Sequence, residues 1–223
     1  MTEGFGAFGK IPAVGDFFRL MPPAGFVSVW DEWVQRTILA AQTTLGSGWD
    51  DHYMSAPIWR FSLSAGLAGP HRIIGVFMPS VDRVGRRFPL TLMTAVVTSR
   101  STASDHFRAG AIFERLEALA LDALEDDMSR EKLEQRLTEI PLLASPTAPL
   151  LRKSGHSLVM EQDDVLPDLA AEYIGNGWTR PSLWSAMVGD AQRLMVCDGL
   201  PEGLEAQGLF HLDAPIWRTG QAA

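Results

Sequence analysis

The 223-residue chain holds one cysteine, Cys197. That excludes an internal disulfide and any cysteine-built zinc or iron–sulfur site. No unbroken apolar run reaches about 18 residues, so no helix is expected to cross a bilayer. Met1 to Lys10 lacks a basic stretch followed by an apolar core, and no secretion signal is expected there. These absences point to a reducing cytoplasm. Positive charge is scarce: 19 Lys and Arg stand against 27 Asp and Glu, a net charge of −8. Broad contact with nucleic acid or anionic membranes needs clustered cations, so only small basic sites remain open. Internal repeats and low-complexity tracts are absent too, and 46% apolar content is that of a packed globular protein.

What is present reads as strands and helices in alternation. Gly4 to Ile11 predicts a short strand. Pro22 and Pro23 suit the first turn of a helix, where a missing N–H is harmless. Phe26, Trp30, Trp33, Val34, Ile38, Ala41 and Leu45 then recur at spacings of three and four, an amphipathic helix closed by Gly46 and Gly48. Strands are predicted at Ile58–Ser64, Arg72–Met78 and Pro89–Thr98. In the first, Trp59, Phe61 and Leu63 alternate with Arg60, Ser62 and Ser64, which reads as one buried face. Gly66, Gly69 and Pro70 mark the turn after it, short enough for antiparallel neighbours. Ser104 is the expected cap of a helix carrying Ile112, Leu116, Leu119 and Ala123, and Ser129 that of a second helix to about Thr138.

Three prolines between Pro141 and Pro149 mark the best internal boundary (141–149). Strands at Ser157–Met160, Ser182–Met187 and Leu194–Cys197 and helices near Leu166–Tyr173 and Pro201–Phe210 complete the chain. The expected fold is one α/β (α+β) domain, a largely antiparallel mixed sheet with helices packed on it. Two domains split near Pro141 are the remote alternative.

Gly4, Gly6 and Gly9 spell a literal G-x-G-x-x-G. A phosphate cradle needs a strand before it and a helix opening directly after, and Pro12 and Gly15 follow instead. Asp16 sits in a Gly-Asp-Phe turn, where it caps backbone N–H groups or meets a partner's cation. The richest polar segment runs from Pro79 to Pro89 and gathers Ser80, Asp82, Arg83, Arg86 and Arg87. Guanidinium forks suit carboxylate or phosphate, and Gly85 permits close backbone approach. Ser80 has no nearby histidine and no G-x-S-x-G around it, which argues against a nucleophile. Two readings stay open for this segment: an internal Asp82–arginine network that pins the loop, or a site for an anion or a protein partner.

None of the five histidines has metal-ligand spacing, and Asp50-Asp51-His52 reads as a solvated loop. Glu125-Asp126-Asp127 and Asp163-Asp164 read as solvated faces. Cys197 lies in a strand pattern and is expected to be buried and inert. Of seven tryptophans, Trp178, Trp184 and Trp217 fall in the less regular C-terminal third, where one could anchor a partner. No cofactor is expected.

The stretch from Gly75 to Leu92 (GVFMPSVDRVGRRFPLTL) resembles the TagF family, also called ImpM, of type VI secretion-associated proteins. Phe8–Phe17 (FGKIPAVGDF), Ala56–Phe61 (APIWRF), Arg180–Trp184 (RPSLW) and Val196–Pro201 (VCDGLP) are similar to further family blocks, so the likeness runs nearly the whole chain. It implies a cytoplasmic protein that is no enzyme and that holds the secretion machine inactive after translation. The implied partner is a forkhead-associated scaffold protein tied to a threonine-phosphorylation pathway. Some relatives carry a fused phosphatase, and nothing in this sequence resembles one. The family supplies no catalytic residues, so Asp16, Ser80, Asp82, Arg83, Arg86 and Arg87 stand as candidate partner contacts. The competing expectation is a phosphate- or small-molecule-binding, enzyme-like domain using the Ser80–Arg87 loop. Ser185–Gly189 departs from relatives that often carry a second aromatic and a polar turn there.

Overall fold

The structure, a computed structural model, describes residues 4–144, 151–154, 157–160 and 166–218. In chain order the first half holds β1 (Gly6–Gly9), β2 (Phe18–Leu20), α1 (Phe26–Leu45), α2 (Trp49–Ser55), β3 (Trp59–Leu63), β4 (Arg72–Met78) and β5 (Leu90–Val96). Then come α3 (Thr102–Arg108), α4 (Gly110–Asp122), α5 (Arg130–Thr138), β6 (Leu151–Ser154) and β7 (Ser157–Met160). The chain continues through α6 (Leu166–Gly177), β8 (Pro181–Val188), β9 (Ala191–Asp198) and α7 (Gly203–Gly208). Seven strands form one antiparallel sheet in the order β2-β1-β5-β4-β3-β8-β9, and β6 and β7 pair as a separate hairpin. The α/β class with an antiparallel sheet is therefore as expected. β8 pairs with β3, so one sheet draws strands from both sides of the 141–149 stretch. Residues 145–149 of that stretch, and Asp163-Asp164, lie outside the described residues.

Both faces of the sheet are covered, which follows from the period of two in β4. Ile73 and Phe77 join Trp30 and Trp33 of α1 in one core, while Ile74, Val76 and Met78 join Phe113, Leu116 and Leu119 of α4 in another. On the α1 side Trp30, Phe61 and Trp184 stack, with ring centroids 4.8 and 6.0 Å from Trp30. Gly75 lies opposite Phe61 in the register, and a Cβ there would overlap the Leu92 carbonyl oxygen of β5 and sit 2.8 Å from the Phe61 ring, so glycine makes room for both the neighbouring strand and the aromatic layer.

Several expectations need correction. The cap of the helix before α4 is Ser101, whose hydroxyl accepts from the Ser104 N–H at 3.2 Å. Both serines fit a cap by type, and the helix begins earlier; it stops at Ala109, and Gly110 opens α4 as a new helix. Pro22 and Pro23 precede α1 rather than filling its first turn, which Gly25 caps. Asp50-Asp51-His52 lies in helix α2 and not in a loop, because Trp49 and Tyr53, four apart, bury one side of that turn. β3 is covered on both faces: Arg60, Ser62 and, just past the strand, Ser64 turn toward α3 and α4, where polar partners receive them. β2 and β6 were not foreseen; β2 holds three residues, too few to show a period. Trp184 is fully buried in the aromatic layer and anchors the core.

Candidate functional site

Two loops meet at one end of the sheet. One runs from Lys10 to Phe17 between β1 and β2, the other from Pro79 to Pro89 between β4 and β5. β1 pairs with β5, which sets the two loops side by side. Asp82 is their hub and is buried. Its Oδ2 accepts from Lys10 Nζ at 3.0 Å and from Arg86 Nε at 2.6 Å. Its Oδ1 accepts from the backbone N–H groups of Val84 and Arg86 at 3.1 and 2.9 Å. Burial pushes the carboxyl up, but the Lys10 ammonium and the Arg86 and Val84 donors outweigh it and hold it well below the usual carboxylate range. The turn closes where Gly85 donates to the Asp82 carbonyl with φ +81, a conformation that favours glycine.

The arginines cross to the neighbouring loop. Arg83 donates to the Ala13 carbonyl at 3.2 Å and Arg86 to the Gly15 carbonyl at 2.7 Å. Arg87 turns the other way and pairs with Asp50 of α2 at 2.7 Å. Ser80 is buried, with its backbone locked by Tyr53: the phenol donates to the Ser80 carbonyl at 2.8 Å and accepts from its N–H at 3.0 Å. Burial holds the Tyr53 hydroxyl above the usual phenol range. Asp16 is exposed, its Oδ1 accepting from the Phe17 N–H.

Of the six candidate residues, Asp16, Arg83 and Arg86 reach the surface, Arg87 is partly covered by Asp50, and Ser80 and Asp82 face inward. Sequence reasoning passed over Lys10, Phe17 and Tyr53. Lys10 carried a signal, because a lone cation between Phe8 and Ile11 in an apolar run demands a buried counter-charge. Phe17 stands half exposed, edge-on to Phe88 at 4.8 Å and stacked on Phe8 at 6.2 Å, with Lys10 Nζ 4.9 Å from its ring centre.

A second polar group lies under α3. Ser62 Oγ and Ser185 Oγ each lie 2.9 Å from a ring nitrogen of His106, which is buried and held neutral, its pKa pushed down to about 3 by desolvation and by Arg60. Arg60 pairs with Glu117 through two bonds of 2.7 Å. Asp168 of α6 accepts from Ser104 and Arg108. These groups tie α3, α4 and α6 to the sheet and to one another, closed to solvent at the serines and the imidazole. The buried Cys197 thiol is pushed up to about 12, chiefly by desolvation, which leaves it un-ionised and inert. Gly6–Gly9 forms strand β1, and the next helix opens only at Phe26, so the glycine motif cradles nothing. Among the described residues no three His, Cys, Asp or Glu side chains are placed to hold a metal ion.

Residues 6–140 match the family model of the TagF N-terminal domain, described as type VI secretion system-associated. The chain belongs to the TagF family. The matched TagF region takes in both loops, the Asp82 hub and α1 to α5. β8 and β9 fall outside it, although β8 pairs with β3 in the same sheet. A solved structure spans the rest: the crystal structure of PA0076 from Pseudomonas aeruginosa PAO1 is 30% identical, with TM-score 0.75, over 98% of this chain and 99% of that one. No curated protein matches the chain. Among the described residues no helix is long and apolar enough to cross a membrane.

Proposed function

We propose that this TagF-family chain is a cytoplasmic accessory protein of a bacterial type VI secretion system that represses secretion after translation by binding the system's forkhead-associated scaffold protein. Membership of a type VI secretion-associated family gives the setting. One observation carries the choice of binding over chemistry. The carboxylate an enzyme would use in the Ser80–Arg87 loop is committed to the fold: Asp82 is buried and saturated by Lys10, Arg86 and two backbone donors. An anion brought to Lys10 or to Arg86 Nε would compete with the resident Asp82 carboxylate, and the N–H groups left on Arg83 and Arg86 lie on the exposed surface, which suits contact with a partner better than enclosure of a small anion. What the loops offer outward is side-chain surface.

The test is genetic and biochemical together. Deleting the gene should raise export of type VI substrates, overproducing the intact chain should suppress it, and the scaffold should co-purify with the chain. Unchanged export in both strains, with no scaffold recovered, rules the reading out.

A further inference from the structure

Phe17 and Val84, which no candidate set included, stand 50% and 72% exposed on the two loops that carry Arg83 and Arg86. Exposed apolar side chains are common and mean little alone. These two differ in being held. Phe17 is fixed between Phe8, Phe88 and the Lys10 ammonium. Val84 sits in a turn whose N–H groups are tied to Asp82. Each guanidinium beside them is braced by a carbonyl of the opposite loop, Ala13 for Arg83 and Gly15 for Arg86. That bracing leaves further N–H groups on both guanidiniums for another acceptor. A surface ordered before contact loses little conformational entropy on binding, and aromatic and arginine side chains dominate binding hot spots.

Charge selects the occupant. The segments 10–17 and 79–89 hold Lys10, Arg83, Arg86 and Arg87 against Asp16 and Asp82, in a chain whose net charge is −8. Asp82 is buried between Lys10 and Arg86 and Arg87 is matched by Asp50, so at the surface the Asp16 carboxylate, which accepts from the Phe17 N–H, stands against Arg83 and Arg86. The exposed charge left on the two loops is net positive, and the same loops expose Phe17 and Val84. We propose that these two loops form a preorganised docking knob for an acidic segment of a protein partner, with an apolar side chain seated against Phe17 and Val84 and carboxylates on Arg83 and Arg86. The proposal rests on the reading that this chain works by binding a protein, and adds the surface and the partner's chemistry.

Arg86 holds Asp82, so the test leaves it intact and uses Phe17→Ala, Arg83→Glu and Val84→Asp, with Leu39→Asp on the exposed side of α1 as control. Calorimetry of the purified full chain with the forkhead-associated scaffold should show each knob variant weakened at least tenfold and Leu39→Asp within twofold, at matched thermal midpoints. Wild-type affinity should fall as salt rises, less steeply in Arg83→Glu. Scaffold binding that survives all three variants overturns the knob and leaves the repressor reading standing. If the wild type binds no scaffold, that reading fails, and a fluorescent Glu-rich dodecapeptide with a central Leu decides the surface. Salt-sensitive binding of the peptide, lost in Arg83→Glu, upholds the knob; no binding overturns it. Self-association of the wild type that Arg83→Glu abolishes makes a second copy the occupant and also overturns it, as does equal binding of a Lys-rich counterpart peptide.

Discussion

On one face of β3, Trp59, Phe61 and Leu63 lie in an aromatic core against α1; on the other, Arg60, Ser62 and the following Ser64 meet Glu117, His106 and Thr102. Both faces are covered by helices, yet they hold the strand by different physics. The aromatic face gains from area removed from water, which is large and needs only rough complementarity. The polar face gains little net energy from each bond, but a partner left unmatched there incurs the full desolvation penalty. The first face supplies stability and the second fixes which helix sits where.

The largest effect belongs to the aromatic face. Trp30 is fully buried, stacks on Phe26, Phe61 and Trp184, packs at a tilt against Trp33, and donates its indole N–H to Thr91 Oγ1 at 2.9 Å. Trp30→Ala is expected to destabilise the chain by about 3–5 kcal/mol, read from urea unfolding. A loss below about 1.5 kcal/mol would break the comparison, because the aromatic layer would then contribute no more than an average contact.

The same contrast explains how much could be read from sequence. Periodicity registers hydrophobicity, so the Trp30–Trp33 stripe and the alternation in β3 were legible, and with the short turn after β3 the antiparallel sheet. Ser62, Ser64, Ser104 and His106 carry no such signal, because a polar residue buried beside a polar partner looks like a solvated one until the partner's position is known. Asp82 and its arginines were legible as a polar cluster, but their direction depended on Lys10, which lies 72 residues earlier in sequence. Phe17 stayed hidden for the opposite reason, being an aromatic that the fold leaves half uncovered.

A pH series sharpens the comparison on the polar face. His106 titrates at about 3 in the folded chain and near 6.5 when unfolded. Between those values the unfolded state binds more protons, so this residue's contribution is complete above pH 6.5 and drains away as the pH falls toward 3. It predicts a loss of about 2 kcal/mol between pH 7 and pH 5. His211, beside His52, is also lowered, by desolvation and by that neighbour, and acts in the same sense. His106→Gln isolates the buried imidazole: it retains donor and acceptor, sheds the titration, and should flatten the wild-type curve by that 2 kcal/mol. An unaltered slope in the variant would mean that the seam admits a charge, contrary to its burial.

The smallest effect tests where the polar face ends. Arg60 and Glu117 form a bidentate pair, with side chains 20% and 24% exposed, and Arg60 also lies 5.8 Å from the Phe113 ring centre. Solvent reaches this pair, unlike the Ser62–His106–Ser185 bridge, so screening should hold its coupling to about 0.5–1 kcal/mol despite the good geometry. A double-mutant cycle with Arg60→Ala and Glu117→Ala measures that coupling directly. A value near 3 kcal/mol would give the pair the behaviour of a fully desolvated interior and extend the buried seam to the rim of α4. The expected small value instead makes Arg60 and Glu117 the edge of the polar face, where the bond orients α4 on the sheet and the apolar side of that helix, through Phe113, Leu116 and Leu119, keeps it there.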